Sequence, residues 1–142
     1  RIIVIEQHSM DPTLAEGEKV YLSKCAYWLS EPKSGDIIVF YDENSSSNYV
    51  KRVIGLPGDE IRIENGSVYR NGTLLVEPYI KEVTSGDFSI TVPDGKYFCM
   101  GDNRNVSIDS RDERMGCIAK SAIIGKVIFS VSPLHGIAKY TH

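Results

Sequence analysis

Turn signals recur so closely along this chain that few elements can be longer than a short strand. Between them lie apolar runs: "GDIIVFYD" (35–42), "NYVKRVIGL" (48–56), "DEIRIENGSVYRNGTLL" (59–75), "GKYFCMGD" (95–102) and "GKVIFSVSPL" (125–134). Their Val, Ile, Tyr and Phe side chains suit a pleated surface, so the runs read as strands. "KVYLSKCAYWL" (19–29) alternates less regularly. Asn65-Gly66 and Asn71-Gly72 are residue pairs that tight hairpin turns favour, because both central positions need positive φ. Pro57-Gly58 and Pro93-Asp94-Gly95 mark further turns. Helical periodicity is scarce. One short helical turn is expected after Asp11, with Pro12 at its first position, and another within 119–126. The chain therefore reads as mainly β, a compact multi-stranded body with very little helix.

Its 142 residues suit one domain that buries a core without staples. Residues 1–142 are expected to form that single domain, with about 78–95, around "KEVTSGDFS", as a small peripheral excursion. "ENSSSN" (43–48) reads as a polar loop. The formal net charge of −3 argues against non-specific nucleic-acid binding, which draws on a basic face. No run approaches the roughly 18 apolar residues of a membrane span. The chain opens on Arg1 rather than Met, so a trimmed fragment is expected. Cys25, Cys99 and Cys117 lack zinc-site spacing and read as small buried hydrophobes. No metal and no cofactor are expected.

Three stretches could carry chemistry. In "HSMDPTL" (8–14), Ser9 stands where the extended "RIIVIE" gives way to a turn at Pro12. Such a junction can expose a hydroxyl beside backbone N–H groups, although a serine in a turn is the commoner meaning. In "YVKRVIGLPGDEI" (49–61), Lys51 either points outward from an amphipathic strand or is walled by Val50, Val53 and Ile54. Walled in, it would lose its proton more easily and could act as a base. Histidine is a weaker candidate for that task. His8 adjoins Ser9, but neighbours on an extended chain face opposite ways, and His135 and His142 lie in a polar tail. "MGDNRNVSIDSR" (100–111) is either a solvated loop or a scaffold of buried ion pairs. Asp102, Arg104, Asp109 and Arg111 could pair with one another or with Arg52, and Ser107 could orient Lys51. Asp102 and Asp109 could also be metal ligands or paired acids, but the interleaved arginines would satisfy them first.

Taken in this order, "SMDPTL", "YVKRVIGLPGD" and "MGDNRNVSIDSR" resemble the signature boxes of bacterial type I signal peptidases, and "GKVIFSVSP" resembles that family's closing strand. The likeness runs from about Ile5 to Pro133. It implies a signal-peptidase-type β fold and a membrane-anchored serine endopeptidase with a Ser/Lys dyad. Such an enzyme removes signal peptides from exported pre-proteins after an Ala-x-Ala-like site, outside the cytoplasmic membrane. Its implied partners are signal peptides and the lipid bilayer surface, with no nucleic acid.

By the same resemblance, Ser9 is the nucleophile and neutral Lys51 the general base. Ser107 hydrogen-bonds the lysine, Asp109 and Arg111 form a supporting ion pair, and Asp102 beside Arg52 fixes the lysine strand. The Ser9 N–H supplies one oxyanion donor. Gln7, where family members usually carry Gly or Ser, could offer its side-chain amide as another. Ile5, Met10, Leu14, Tyr49 and Val50 line shallow pockets for small residues before the cut. The short excursion after Tyr79 resembles the compact Gram-positive form. "RIIVIE" resembles the segment that follows the family's span, which places an anchor upstream of it.

Overall fold

The computed structural model describes residues 1–137. In chain order the strands are β1 (Ile2–Val4), β2 (Lys19–Ser23), β3 (Ile37–Asp42), β4 (Ser47–Gly55), β5 (Glu60–Glu64) and β6 (Ser67–Arg70). They continue as β7 (Thr73–Leu74), β8 (Phe88–Thr91), β9 (Lys96–Met100), β10 (Ile118–Ala119), β11 (Ile123–Ser132) and β12 (Leu134–His135). The larger sheet runs β1-β2-β11-β3-β4-β9-β10, with β12 on β11, and the smaller runs β7-β6-β5-β8. The fold is mainly β, as the apolar runs imply. The Asn-Gly pairs turn as their chemistry requires: Asn65 and Gly66 have φ of 51° and 82°, Asn71 and Gly72 of 51° and 81°.

Burial follows from the side-chain period. On β5, Ile61 and Ile63 point inward while Glu60 and Arg62 face out. β3 is different, because all of Ile37–Phe40 is buried. Ile37 and Val39 join an apolar cluster with Ile5, Met10, Leu14, Val20 and Leu22. Ile38 and Phe40 enter a second cluster, with Val53, Tyr97, Cys99 and Ile118, on the opposite face. The third cluster fills the space between β4, β9 and the small sheet, from Ile54 and Met100 to Ile61 and Tyr79. Phe88 of β8 stacks on Phe98 there, ring centroids 5.6 Å apart.

Three expectations change. No helix follows Asp11: residues 9–13 form turns, the Asp11–Pro12 peptide is cis, and the Leu14 N–H donates to the Met10 carbonyl at 3.0 Å. That conformation sinks both Met10 and Leu14 into the core. Within 119–126 only Lys120–Ala122 coils, as one 3₁₀ turn. Ile123 then pairs with Phe40 and Gly125 with Val39, so sheet pairing overrides the helical tendency. Cys25 is exposed, because it lies in the turn after β2, where its carbonyl accepts the Trp28 N–H. His142 lies outside the described residues.

Candidate active site

Register decides where Lys51 goes. β4 pairs with β3 so that Lys51 lies opposite Ile38, and with β9 so that Val53 lies opposite Cys99. Lys51 and Val53, two residues apart, share a face. Lys51 therefore stands on the face of the sheet that carries Ile38, Phe40, Val53 and Cys99, and the residue is 1% exposed. Its Nζ donates to the Ser107 hydroxyl at 3.1 Å and stands 5.6 Å from the centroid of the Tyr49 ring. Burial pulls the Lys51 pKa from 10.5 down to about 8; Asp109 opposes the shift and Arg111 adds to it.

Ser9 is half-buried in the turn that follows β1. Its carbonyl accepts the Asn103 N–H at 2.9 Å, and the His8 carbonyl accepts the Asn103 side-chain amide at 3.0 Å. Asn103 thus grips the turn through two main-chain oxygens. Among the described residues neither the Ser9 hydroxyl nor its N–H has a hydrogen-bond partner. Gly101 lies against both halves of the site: a Cβ there would overlap the Ser107 hydroxyl and the Ser9 carbonyl. Gly101→Ala is expected to leave the fold intact by circular dichroism while lowering kcat/KM about 100-fold, the cost of displacing reacting groups by about 1 Å. Activity within threefold of the parent would show that the two halves need no such closeness.

Beneath this lies a continuous polar frame. Arg52 is fully buried and forks onto Asp102, with Nε to Oδ1 at 2.9 Å and Nη2 to Oδ2 at 2.8 Å. Thr13 donates to the same carboxylate at 2.6 Å, tying the Ser9 turn to the frame. The Arg52 guanidinium lies 3.8 Å from the centroid of the Tyr79 ring, and the Tyr79 hydroxyl donates to Glu77 at 2.8 Å. Arg104 pairs with Glu77, outside its own box, and donates to the Gly101 carbonyl at 2.8 Å. Arg111 forks onto Asp109 at 2.8 and 2.7 Å, and Asp109 also accepts the Gly101 N–H at 3.2 Å. Sequence reasoning missed Thr13, Glu77, Tyr79, Gly101 and Asn103 as parts of the site. Gly101 and Asn103 had a signal in the quoted third box, and Thr13 had one in the first.

A groove of about 420 Å³ opens beside Ser9, with Ile5, Gln7, Met10, Val39 and Val50 in its wall. Leu14 and Tyr49 do not line it. Leu14 is buried in the core below, and Tyr49 packs on Phe40 and donates its hydroxyl to Ser45. Ile124 and Asn48 line it unforeseen. A free hydroxyl and an unpaired N–H stand beside an apolar channel, and Asn103 ties their turn to the loop whose Ser107 accepts the desolvated Lys51 amine; these are the parts required for acyl transfer from a peptide.

Comparison with known proteins agrees. The family model described as "Signal peptidase, peptidase S26" matches residues 1–132. The chain is 44% identical to signal peptidase I U of Bacillus subtilis over 132 residues, covering 86% of this chain and 70% of that protein. It is 40% identical to signal peptidase I of Bacillus licheniformis over 147 residues, covering 96% and 78%. With signal peptidase IB of Staphylococcus aureus the identity is 37% over 148 residues, covering 91% and 76%. The crystal structure of a signal peptidase I from Enterococcus faecalis V583 superposes with a TM-score of 0.63 at 32% identity, over 69% of this chain and 97% of that one. The chain belongs to the signal peptidase family, peptidase S26, and is a serine endopeptidase of the signal peptidase I kind.

Proposed function

We propose that this enzyme removes N-terminal signal peptides from exported pre-proteins after an Ala-x-Ala-like site, at the outer face of a membrane, with Ser9 as nucleophile and neutral Lys51 as general base. The observation that carries the reading is the buried Lys51 amine, hydrogen-bonded to Ser107 on the same loop that grips the Ser9 turn. By donating to Ser107, Nζ keeps its lone pair for the Ser9 proton. Ser9 Oγ then attacks the scissile carbonyl carbon as that proton passes to Lys51. The Ser9 N–H, with the Gln7 amide beside it in the groove, meets the developing oxyanion. The resulting ammonium protonates the departing amine. Lys51, neutral again, draws a proton from the water that hydrolyses the acyl-enzyme. The shallow wall of Ile5, Met10 and Val50 suits small side chains before the cut. Both sheets serve one catalytic unit in this reading, and the 78–95 segment braces rather than reacts.

The test is mass-spectrometric mapping of products from a presequence peptide with an Ala-x-Ala site, with Ser9→Ala as control. Cleavage directly after the second Ala, absent from the control, is the expected result. Cleavage elsewhere, or undiminished cleavage by Ser9→Ala, would overturn the assignment.

Acidity supplies a second check. Only neutral Lys51 accepts a proton, so kcat/KM is expected to rise with pH through about 8. A profile flat from about pH 6 to about pH 9 would remove Lys51 as the base. Stability carries the same signature. The Lys51 pKa is about 8 in the fold, below its ordinary 10.5, so in that window the unfolded chain holds a proton that the folded chain has released. Stability therefore rises with pH across the window, and below it the cost of a buried ammonium is fully present.

A further inference from the structure

We infer that the turn at 77–80 is a positioning element for the reaction: Glu77 and Tyr79 join the arginine of the Lys51 strand and the arginine of the Ser107 loop in one buried knot, and so set the base against its orienting hydroxyl. This role rests on the Ser9–Lys51 chemistry proposed above and is supplied from outside the signature boxes.

The turn is built to hold two side chains still. Pro78 occupies its second position, where the ring fixes φ, and the Ile80 N–H donates to the Glu77 carbonyl at 3.4 Å. The Leu75 N–H donates to the Val68 carbonyl at 2.9 Å, so the approach to the turn is pinned to β6. Both side chains leave this support into the interior, where Glu77 and Tyr79 are buried. The Glu77 carboxylate accepts the Tyr79 hydroxyl and both terminal nitrogens of Arg104. The face of the Tyr79 ring carries the Arg52 guanidinium. One short turn therefore touches both arginines.

Each arginine leads to the reacting groups. Arg52 follows Lys51 directly on β4. Arg104 shares a tight turn with Ser107: the Val106 and Ser107 N–H groups both donate to the Asn103 carbonyl at 3.1 Å, so Ser107 is held relative to Arg104. A second set of bonds seats the same loop on the excursion. Arg104 Nη1 donates to the buried Thr84 hydroxyl at 3.1 Å. The Asn105 side chain accepts the Ser85 N–H and hydroxyl at 3.2 and 2.8 Å and donates to the Val83 carbonyl at 3.1 Å. Thr84 in turn donates its N–H to the Gly66 carbonyl of the β5–β6 hairpin at 3.1 Å. The small sheet thus fixes where Ser107 stands. Burial works against the Arg104 charge, and Glu77 holds its pKa above the ordinary value. A buried ion pair contributes little net stability over apolar groups of the same size, so placement is what this one supplies.

The 142-residue chain, Glu77→Gln and Tyr79→Phe would be compared on a soluble presequence peptide from about pH 6 to about pH 10, with Ser9→Ala as control. Glu77→Gln keeps the shape and removes the charge. Tyr79→Phe keeps the ring on Arg52 and removes only the hydroxyl. Expected for Glu77→Gln is a kcat about tenfold lower, with KM within about twofold of the parent. Its pH midpoint should move from about 8 toward the ordinary lysine value, because a loosened loop admits water to the Lys51 amine, where Asp109 and Arg111 are the charged neighbours. Tyr79→Phe should show the same two changes, at about threefold in kcat, and it carries the test should Glu77→Gln fail to fold. A purely structural knot would lower the urea midpoint alone. Parent-like kcat and pH midpoint in either folded variant therefore overturn the inference while the reaction stands. Cleavage that survives Ser9→Ala, or a parent profile without a slope, refutes the proposed chemistry and the positioning role with it.

Discussion

Lys51→Met is expected to cut peptide hydrolysis by at least about 10³-fold and yet to raise the melting temperature at neutral pH. The two effects share one cause. Lys51 occupies an apolar wall, so its ammonium is held where water cannot solvate it, and the lowered pKa measures that discomfort. Methionine fills a similar length with no charge to desolvate. What the variant loses is one hydrogen bond to Ser107, a net contribution of about 1 kcal/mol. The gain should be larger near pH 6 than near pH 10, because the cost of the ammonium fades as the proton leaves. Peptide kinetics and thermal melts at both pH values check this. Activity within tenfold of the parent, or a lower melting temperature near pH 6, would show that Lys51 is neither desolvated nor the base.

Asp102→Ala is expected to do the reverse at the level of stability, costing about 3–5 kcal/mol. Arg52 would keep its charge in a fully buried position without the Asp102 carboxylate, while its Nη1 still donates to the Gly35 carbonyl at 2.9 Å and its guanidinium still lies over the Tyr79 ring. Thr13 would lose its acceptor too, releasing the Ser9 turn from the frame. The double change Arg52→Met/Asp102→Leu removes both charges and should cost much less than Asp102→Ala alone. Urea denaturation midpoints of the three proteins separate these outcomes. A loss below about 1 kcal/mol for Asp102→Ala would mean that water reaches the pair.

What could be read from the residues, and what could not, divides by distance along the chain. Asn65-Gly66 and Asn71-Gly72 declare their turns because positive φ is a local requirement. The strands of 35–42, 48–56 and 59–75 are legible because pleating and burial repeat within each run. The 119–126 segment misleads because its composition tolerates a helix, and only the remote partner Phe40 draws Ile123 into β11. In the site, Ser9, Lys51, Ser107 and the arginine–aspartate pairs stand in quotable boxes. Glu77 does not: nothing near it indicates that Arg104, 27 residues on, will need it. The stacking of Tyr79 under Arg52 is equally invisible, since it depends on how the small sheet settles on the large one. Even the face of β4 on which Lys51 stands rests on register, which a slip of one residue would reverse.

The grip of Asn103 on the Ser9 turn has a consequence in time. In the proposed mechanism nucleophile, base and orienting hydroxyl come from residues 9, 51 and 107, and no local segment brings any two of them together. Their meeting waits for the slow closure of distant strands. Until β4 and β9 have paired and the loop after β9 has seized the first turn, the lysine is hydrated and cationic, and the serine is an ordinary alcohol. On that mechanism a nascent or partly unfolded molecule is inert toward the chains around it. Proteolytic competence is itself a report that folding has finished.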